Sequence, residues 1–230
     1  MISARARNLV LVAATVALAL TSLLIRGREG LDGLFWGSNT VLGGQWVLDP
    51  HGTVNLGVYD PDATLASSST IALDHVFVSW LDVDSAKLRG QFDAARRRNR
   101  WLMVTVEPWV RDPAADTVTL FVDIRRGRYD PEIDNVCAIL GRFQFPILLR
   151  WGHEMETPTG RYPWAQADAP GYVDAYRYVI GRCRDHVREL YTVWSPRGDK
   201  GLERYFPGRA YADYVAVSYT HLTLPTNREV

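Results

Sequence analysis

Apolar and polar positions alternate along the middle of the chain in a pattern that predicts strands and helices in turn. Short apolar segments end at a proline or a cluster of charge, and longer segments place their apolar residues on one helical face. The predicted strands cover residues 54–60, 73–81, 101–107, 145–151 and 190–194, and a sixth begins within 211–216. The predicted helices cover residues 86–98, 131–141 and 171–188.

Repeated strand–helix units predict an α/β fold with a parallel sheet, and two architectures fit this pattern. One is a barrel and the other is an open, doubly wound sheet. No glycine-rich phosphate loop follows the first predicted strand, so nothing in the sequence favours a nucleotide-binding open sheet.

The stretch from Phe145 to Thr157 changes abruptly in character. It begins with an apolar run typical of a buried parallel strand, and then concentrates Arg150, His153, Glu154 and Glu156 within a few residues. A core strand that runs into a solvated loop would give a similar pattern. We interpret the stretch as functional, because barrel enzymes carry their chemistry at the carboxyl ends of the strands.

Carboxylates and aromatic rings recur where the other predicted strands end. The residues at the five complete strand ends are Tyr59, Asp60, Trp80, Asp82, Glu107, Trp109, His153, Glu154 and Trp194. A tryptophan at a strand end more often packs than binds, so each residue alone has an ordinary structural interpretation. Together they favour glycoside hydrolysis, which uses a protonated acid and a second carboxylate, roughly 5–5.5 Å apart in retaining enzymes.

Composition narrows the possible partners. The 26 basic and 26 acidic residues balance, so no excess of charge points to nucleic acid. The 8 Trp and 11 Tyr suit stacking against sugars, although such rings also fill ordinary cores. Cys137 and Cys183 fall inside predicted helices without metal-ligand spacing. We expect two buried free thiols, while an extracytoplasmic location would permit a disulfide.

The N-terminal residues 1–28 predict a membrane-directed segment. Arginines flank a mostly apolar run at 9–25, which is near the short limit of a bilayer span. A secretory signal peptide cleaved after residues 17–19 fits, but the apolar residues 23–25 beyond that site favour an uncleaved signal anchor. The remaining chain is then expected outside the cytoplasm, with residues 29–53 as a linker.

Several short motifs along residues 54–216 resemble glycoside hydrolase family 26, which is best known for endo-β-1,4-mannanases. They include the segments 57–61, 107–109, 150–156, 162–164, 193–196, 205–208 and 211–215, together with Trp80. The pair His153-Glu154 is the most specific of these marks. The resemblance implies a retaining (β/α)8 TIM barrel that cleaves a mannan-like β-glycan and needs no cofactor.

The same resemblance implies roles for individual residues. Glu154 matches the general acid/base, His153 the neighbour that orients the catalytic carboxylates, and Trp164 the stacking tryptophan. Supporting or sugar-binding roles fall to Glu107, Trp109, Arg150, Trp194, Trp80 and Tyr59. Glu156 is interpreted as a solvated residue or a contact with a more distant sugar.

Other chemistries have less support in the sequence. The remaining histidines, at positions 51, 75, 186 and 221, lack the spacing of metal ligands, so we expect no metal site. No Gly-x-Ser-x-Gly elbow is present, and Ser195 is interpreted as a loop residue.

The chain supplies six of the eight predicted barrel strands, so the barrel is expected to be truncated after about the sixth. The glutamate nucleophile of the family follows its seventh strand, and no residue here matches it. Residues 217–230 resemble translated sequencing-adapter read-through instead of a seventh strand. We therefore expect a parent endo-β-glycanase, secreted or membrane-anchored. The alternatives are a non-catalytic carbohydrate-binding barrel linked to polysaccharide assembly and an unrelated parallel α/β protein.

Overall fold

A computed structural model describes residues 56–157 and 160–217 of the chain. The predicted membrane-directed segment at 9–25, the linker at 29–53 and the residues from 218 onward lie outside this part. Within the described ranges, no helix is both long enough and apolar enough to cross a bilayer.

The elements alternate as the sequence predicts. The strands are β1 (Leu56–Val58), β2 (Ile71–Ser79), β3 (Trp101–Glu107), β4 (Ile147–Trp151), β5 (Leu190–Trp194) and β6 (Tyr214–Val215). The helices are α1 (Ser85–Arg97), α2 (Pro113–Asp116), α3 (Leu120–Arg125), α4 (Asp130–Gly141) and α5 (Ala169–His186), with a 3-10 turn at Leu202–Tyr205.

The six strands form one parallel sheet in which each strand pairs with its neighbour in sequence, from β1 through β6. A doubly wound sheet would reverse its strand order at a switch point, whereas a barrel keeps sequence order throughout. The sheet order therefore decides between the two predicted architectures. The prediction of a partial (β/α)8 barrel is confirmed.

The two faces of the sheet differ in chemistry. Val76, Val104 and Leu149 on one face pack into the hydrophobic core together with side chains of the helices. The alternating residues of the opposite face include His75, Thr105 and Arg150, which are joined by hydrogen bonds. Because strand residues alternate between faces, the same strands build an apolar outer layer and a polar inner surface.

Two short helices lie within residues 113–125, between the predicted strand at 101–107 and the predicted helix at 131–141, where no element was predicted. Helix α2 begins with Pro113, and the Asp112 side chain caps it by accepting a hydrogen bond from the Ala114 N–H at 3.0 Å. Helix α3 buries Leu120, Phe121 and Ile124. Neither helix is long enough to establish an amphipathic period, so only the Asp-Pro start signal was available in the sequence.

The expectation of two free thiols is wrong, because Cys137 and Cys183 form a disulfide that joins α4 to α5. Their Cα atoms are 5.0 Å apart. Arg182 of α5 adds ion pairs to Asp130 and Asp134 of α4. Sequence spacing could not reveal the pairing, since the two cysteines meet only through the packing of the helices that carry them.

Removal of the disulfide should destabilise the fold. The cysteines are 46 residues apart in sequence, so a double Cys→Ala variant should lose about 2–4 kcal/mol of unfolding free energy, because its unfolded chain is less constrained. Urea denaturation with and without a reducing agent measures this loss. The reductant should lower the unfolding midpoint of the wild type and leave that of the double variant unchanged. Titratable thiols in unreduced, unfolded wild-type protein would contradict the pairing.

Candidate active site

The turn after β4, residues Gly152 to Glu154, is tied to the surrounding strands through its backbone. The Gly152 N–H donates to the Val106 carbonyl of β3 at 3.2 Å, and the Glu154 N–H donates to the Ser195 carbonyl after β5 at 2.8 Å. These bonds fix the position of the turn relative to both neighbouring strands.

Two aromatic side chains, one from the loop before α5 and one from α5 itself, also support the turn. The Trp164 indole N–H donates to the His153 carbonyl at 2.7 Å. The Tyr172 hydroxyl donates to the Gly152 carbonyl at 3.2 Å. Both rings are fully buried, so they act as fixed donors that water does not replace.

The turn has an unusual backbone conformation. Gly152 has a φ of 53° and Glu154 a φ of 54°, both in the left-handed region. Glycine adopts this region freely, but a residue with a side chain pays roughly 1–2 kcal/mol. Such strain persists where the surrounding structure determines the conformation, and it is frequent at functional sites. Here the hydrogen bonds to the backbone of residues 152–154 hold the left-handed conformation in place.

The imidazole of His153 is enclosed by aromatic rings. Its centroid lies 5.1 Å from that of Tyr162, 5.8 Å from that of Trp164 and 5.8 Å from that of Phe77. Burial, followed by the charges of Arg150 and Arg161, lowers the pKa of His153 to about 3. The ring is therefore neutral at ordinary pH. Its Nδ1 atom has no hydrogen-bond partner among the described residues, and so is free to accept or donate one bond.

Arg150 lies in the centre of the polar inner face, held by neutral groups. Its Nε donates to the Thr105 hydroxyl at 2.7 Å and its Nη1 to the Ser195 hydroxyl at 3.3 Å. Its Nη2 lies 3.4 Å from Nε2 of His75. Because a guanidinium can only donate, His75 must accept at Nε2, which places the proton of the neutral ring on Nδ1. The hydroxyl of Thr105, 2.7 Å from the same Nε2, can then donate to it.

The charge of Arg150 is buried without a direct ion pair in the described residues. Burial lowers the pKa of Arg150 to about 10, and the charges of Glu154 and Glu107 oppose that effect. The guanidinium therefore stays charged at neutral pH. Glu107, at the end of β3, accepts a hydrogen bond from the Trp109 indole at 3.1 Å. The site thus combines two carboxylates with one buried cation.

The structure places the predicted tryptophans in different environments. Trp164 is stacked on Tyr162 with centroids 4.6 Å apart, and Trp80 is stacked on Tyr129 at 4.9 Å. Both are completely buried, as is Trp194, so these three rings pack inside the protein and present no face to solvent. Trp109 is only partly buried. Tyr59, after β1, is exposed at the edge of the site.

Glu156 has a structural role that the sequence analysis did not foresee. Its Oε1 accepts hydrogen bonds from the backbone N–H groups of Gly198 at 2.8 Å and Asp199 at 3.3 Å. The side chain therefore braces the loop after β5. Because its Oε2 is also buried, the interpretation of Glu156 as a solvated residue is wrong, while the alternative of a sugar contact stays a prediction.

Several residues near the site were missed in the sequence. Thr105 and His75 hold Arg150, Ser195 braces both Arg150 and Glu154, and Phe77 lies against His153. Alternation along the strands could have placed His75 and Phe77 on one face, but their neighbours depend on strand register. In the part of the chain that the structure describes, no cluster of three or more His, Cys, Asp or Glu could hold a metal ion.

Comparison with proteins of known sequence gives partial matches. No protein-family model matches the chain. Two curated relatives, the beta-1,3-xylanase TXYA of a Vibrio species and a beta-1,3-xylanase of an Alcaligenes species, are each 27% identical over 104 residues. The matched segment makes up 42% of this chain, but only 22% and 21% of the relatives. The chain thus covers about a fifth of the length of each.

Comparison with solved structures shows the fold. A modular endo-β-1,4-mannanase of glycoside hydrolase family 26 from Cellulomonas fimi superposes with a TM-score of 0.50 at 18% identity, over 63% of this chain and 40% of that one. A GH26-CBM35 β-(1,4)-mannanase from Podospora anserina gives a TM-score of 0.51 at 17% identity, over 69% and 43%. The described residues therefore share the fold of family 26 glycosidases.

Protonation of buried His153 and of partly buried His75 should destabilise the protein in acid. In the unfolded chain an imidazole binds its proton near the ordinary pKa of 6.5, whereas folded His153 and His75 do so only near 3. Their contribution to stability is present above pH 6.5 and is lost progressively as the pH falls from there towards 3. NMR titration should show two imidazoles that do not titrate between pH 8 and 5.

A His153→Gln variant provides the control. Its urea midpoint should decline less than that of the wild type between pH 7 and 5, because one of the two depressed groups is absent. A His153 signal that titrates near pH 6.5 would show that the ring is not desolvated.

Proposed function

We propose that this chain belongs to a glycoside hydrolase that cleaves a neutral β-linked polysaccharide, with Glu154 as its general acid/base. The supporting observation is the position of Glu154. Glu154 is partly exposed at the carboxyl end of β4, on a turn with left-handed backbone. The backbone of that turn is hydrogen-bonded to β3 and to the loop after β5. A proton donor must be held within hydrogen-bond reach of the leaving oxygen, and a fixed turn meets that need.

The residues around Glu154 are proposed to assist it. The buried Arg150 cation supplies a positive field to the carboxylates of Glu154 and Glu107. Burial raises the pKa of the Tyr162 hydroxyl, and the negative charge of Glu154 raises it further. The Nδ1 atom of neutral His153 is buried without a partner in the described residues. It is proposed to hydrogen-bond a group that the rest of the barrel brings against it, such as a second carboxylate. The Trp164 indole N–H holds the backbone of His153 and Glu154 in position by donating to the His153 carbonyl.

A retaining mechanism requires a nucleophile besides the acid/base. We propose that this carboxylate follows a seventh strand, which residues 56–157 and 160–217 do not contain. In such a mechanism the nucleophile attacks the anomeric carbon while Glu154 protonates the leaving oxygen. Water then cleaves the glycosyl-enzyme, with Glu154 acting as the base.

The substrate is proposed to be a β-1,4-mannan or a β-1,3-xylan. The motifs around His153-Glu154 and the shared fold support the mannan, since both superposed structures are mannanases by name. The 27% identical relatives support the xylan, since both are named beta-1,3-xylanases. Such polymers are too large to enter a cell, so hydrolysis is proposed to occur outside the cytoplasm. The Cys137–Cys183 disulfide agrees with that location.

Replacement of Glu154 tests the assignment in a protein that includes the seventh strand. Glu154→Ala should lower kcat/KM on the polysaccharide by about 10²–10⁴. With a dinitrophenyl glycoside, the rate of glycosyl-enzyme formation by Glu154→Ala should fall far less, because dinitrophenolate leaves without being protonated. Azide should then accelerate turnover of that glycoside by replacing the water that Glu154 activates, and NMR of the glycosyl azide reports the stereochemistry.

The exposed residue Glu203 provides a matched carboxylate control. Glu203→Ala should hydrolyse mannan or xylan at the wild-type rate. Undiminished polysaccharide hydrolysis by Glu154→Ala would overturn the assignment. Binding of both glycans without hydrolysis by the wild type would favour the non-catalytic alternative.

A further inference from the structure

Two aromatic rings at the ends of β1 and β2 are exposed, whereas the indoles of Trp80, Trp164 and Trp194 are buried. Tyr59 is 55% exposed and Phe77 is 38% exposed. Among the exposed large apolar side chains of the described residues, these two alone carry rings. Their centroids are 5.2 Å apart with an interplanar angle of 89°, so they form one continuous edge-to-face pair, here termed the aromatic shelf.

Phe77 is fixed on its strand by polar neighbours. The Arg150 guanidinium carbon lies over its ring, 5.2 Å from the centroid, and the His75 ring lies at 4.4 Å. In the sheet, Phe77 is in register with Thr105, which is in register with Arg150. The ring therefore lies beside the polar network of Arg150, on the same face of the sheet.

The aromatic shelf is adjacent to the proposed proton donor. The Phe77 centroid is 5.8 Å from that of His153, whose next residue is Glu154. A partly exposed phenylalanine on a polar surface loses part of the benefit of burial. A ligand with an apolar face recovers that benefit when it covers the ring.

We propose that Phe77, with Tyr59 beside it, is the surface on which the neutral sugar ring next to the cleaved bond stacks. This inference rests on the proposed function and adds a substrate-contact residue to it. Pyranose rings present an apolar C–H face that packs on aromatic rings, while their hydroxyl groups point sideways. Glu107, in register with Ser79 two residues after Phe77, is partly exposed on the same face of the sheet for those hydroxyls.

Binding measurements test the aromatic shelf independently of catalysis. Mannohexaose and β-1,3-xylohexaose are titrated into the wild-type chain and its variants by calorimetry. Phe77→Ala should weaken binding of the preferred oligosaccharide roughly five- to tenfold, as expected for loss of an aromatic contact. Phe77→Leu, which keeps an apolar core-sized side chain without a ring, should weaken it similarly. Phe77→Trp should retain it.

Leu65, in the loop between β1 and β2, is the matched control, because it is an apolar side chain with similar exposure, 42%, and carries no ring. Leu65→Ala should bind as the wild type does. Equal urea midpoints for wild type and Phe77→Leu show that affinity, and not folding, has changed. Unchanged binding by Phe77→Leu, or no binding by the wild type, overturns the proposal.

The two proposals fail in different ways. A wild-type protein that binds through Phe77 but cleaves nothing overturns the hydrolase and leaves the aromatic shelf in place. If hydrolysis depends on Glu154 but the affinity for the oligosaccharide is unchanged in the Phe77 variants, the hydrolase proposal stands and the aromatic shelf proposal is wrong.

Discussion

Five hydrogen bonds to the backbone of residues 152–154 hold the turn on which the rest of the site depends. They come from β3, from the loop after β5, from the indole of Trp164, from the hydroxyl of Tyr172 and from the N–H of Thr157. The partners belong to β3, to the loop after β5, to helix α5 and to the loop that follows the turn itself. The turn is therefore correct only when the sheet, helix α5 and both loops are in place. This requirement explains how Glu154 keeps a left-handed backbone that a glutamate alone would avoid.

The inner face of the sheet has its own constraint, which is the burial of one cation among neutral acceptors. Arg150 donates to two hydroxyl groups and faces an imidazole nitrogen, and none of these partners cancels its charge. A buried charge is costly unless its donors are satisfied. Hydroxyl and imidazole acceptors satisfy the donors while leaving the field of the cation available to Glu154 and Glu107. The neutral state of His75 is part of this arrangement, since a protonated ring could not accept.

The sequence allowed the fold to be predicted more completely than the site. Five strands and three helices followed from apolar periodicity, and β3 and β5 were predicted with their observed bounds. The short helices at 113–125 gave no period, and the Cys137–Cys183 pair depended on helix packing. At the site, the His153-Glu154 pair was visible as a local motif. The contacts of Thr105 and Ser195 were not visible, because register between strands distant in sequence determines which side chains meet. Burial of Trp80 and Trp164 likewise depends on residues that arrive from other elements.

The depth of Arg150 also determines how the protein responds to dissolved salt. Surface pairs such as Arg125–Asp174, with both side chains more than 40% exposed, are screened by mobile ions within a Debye length of about 8–10 Å. Arg150 is only 7% exposed, so counter-ions cannot approach it closely. The electrostatic balance between this cation and its carboxylates is therefore insulated from ionic strength, while the attractions between charged side chains on the outer helices weaken as salt rises.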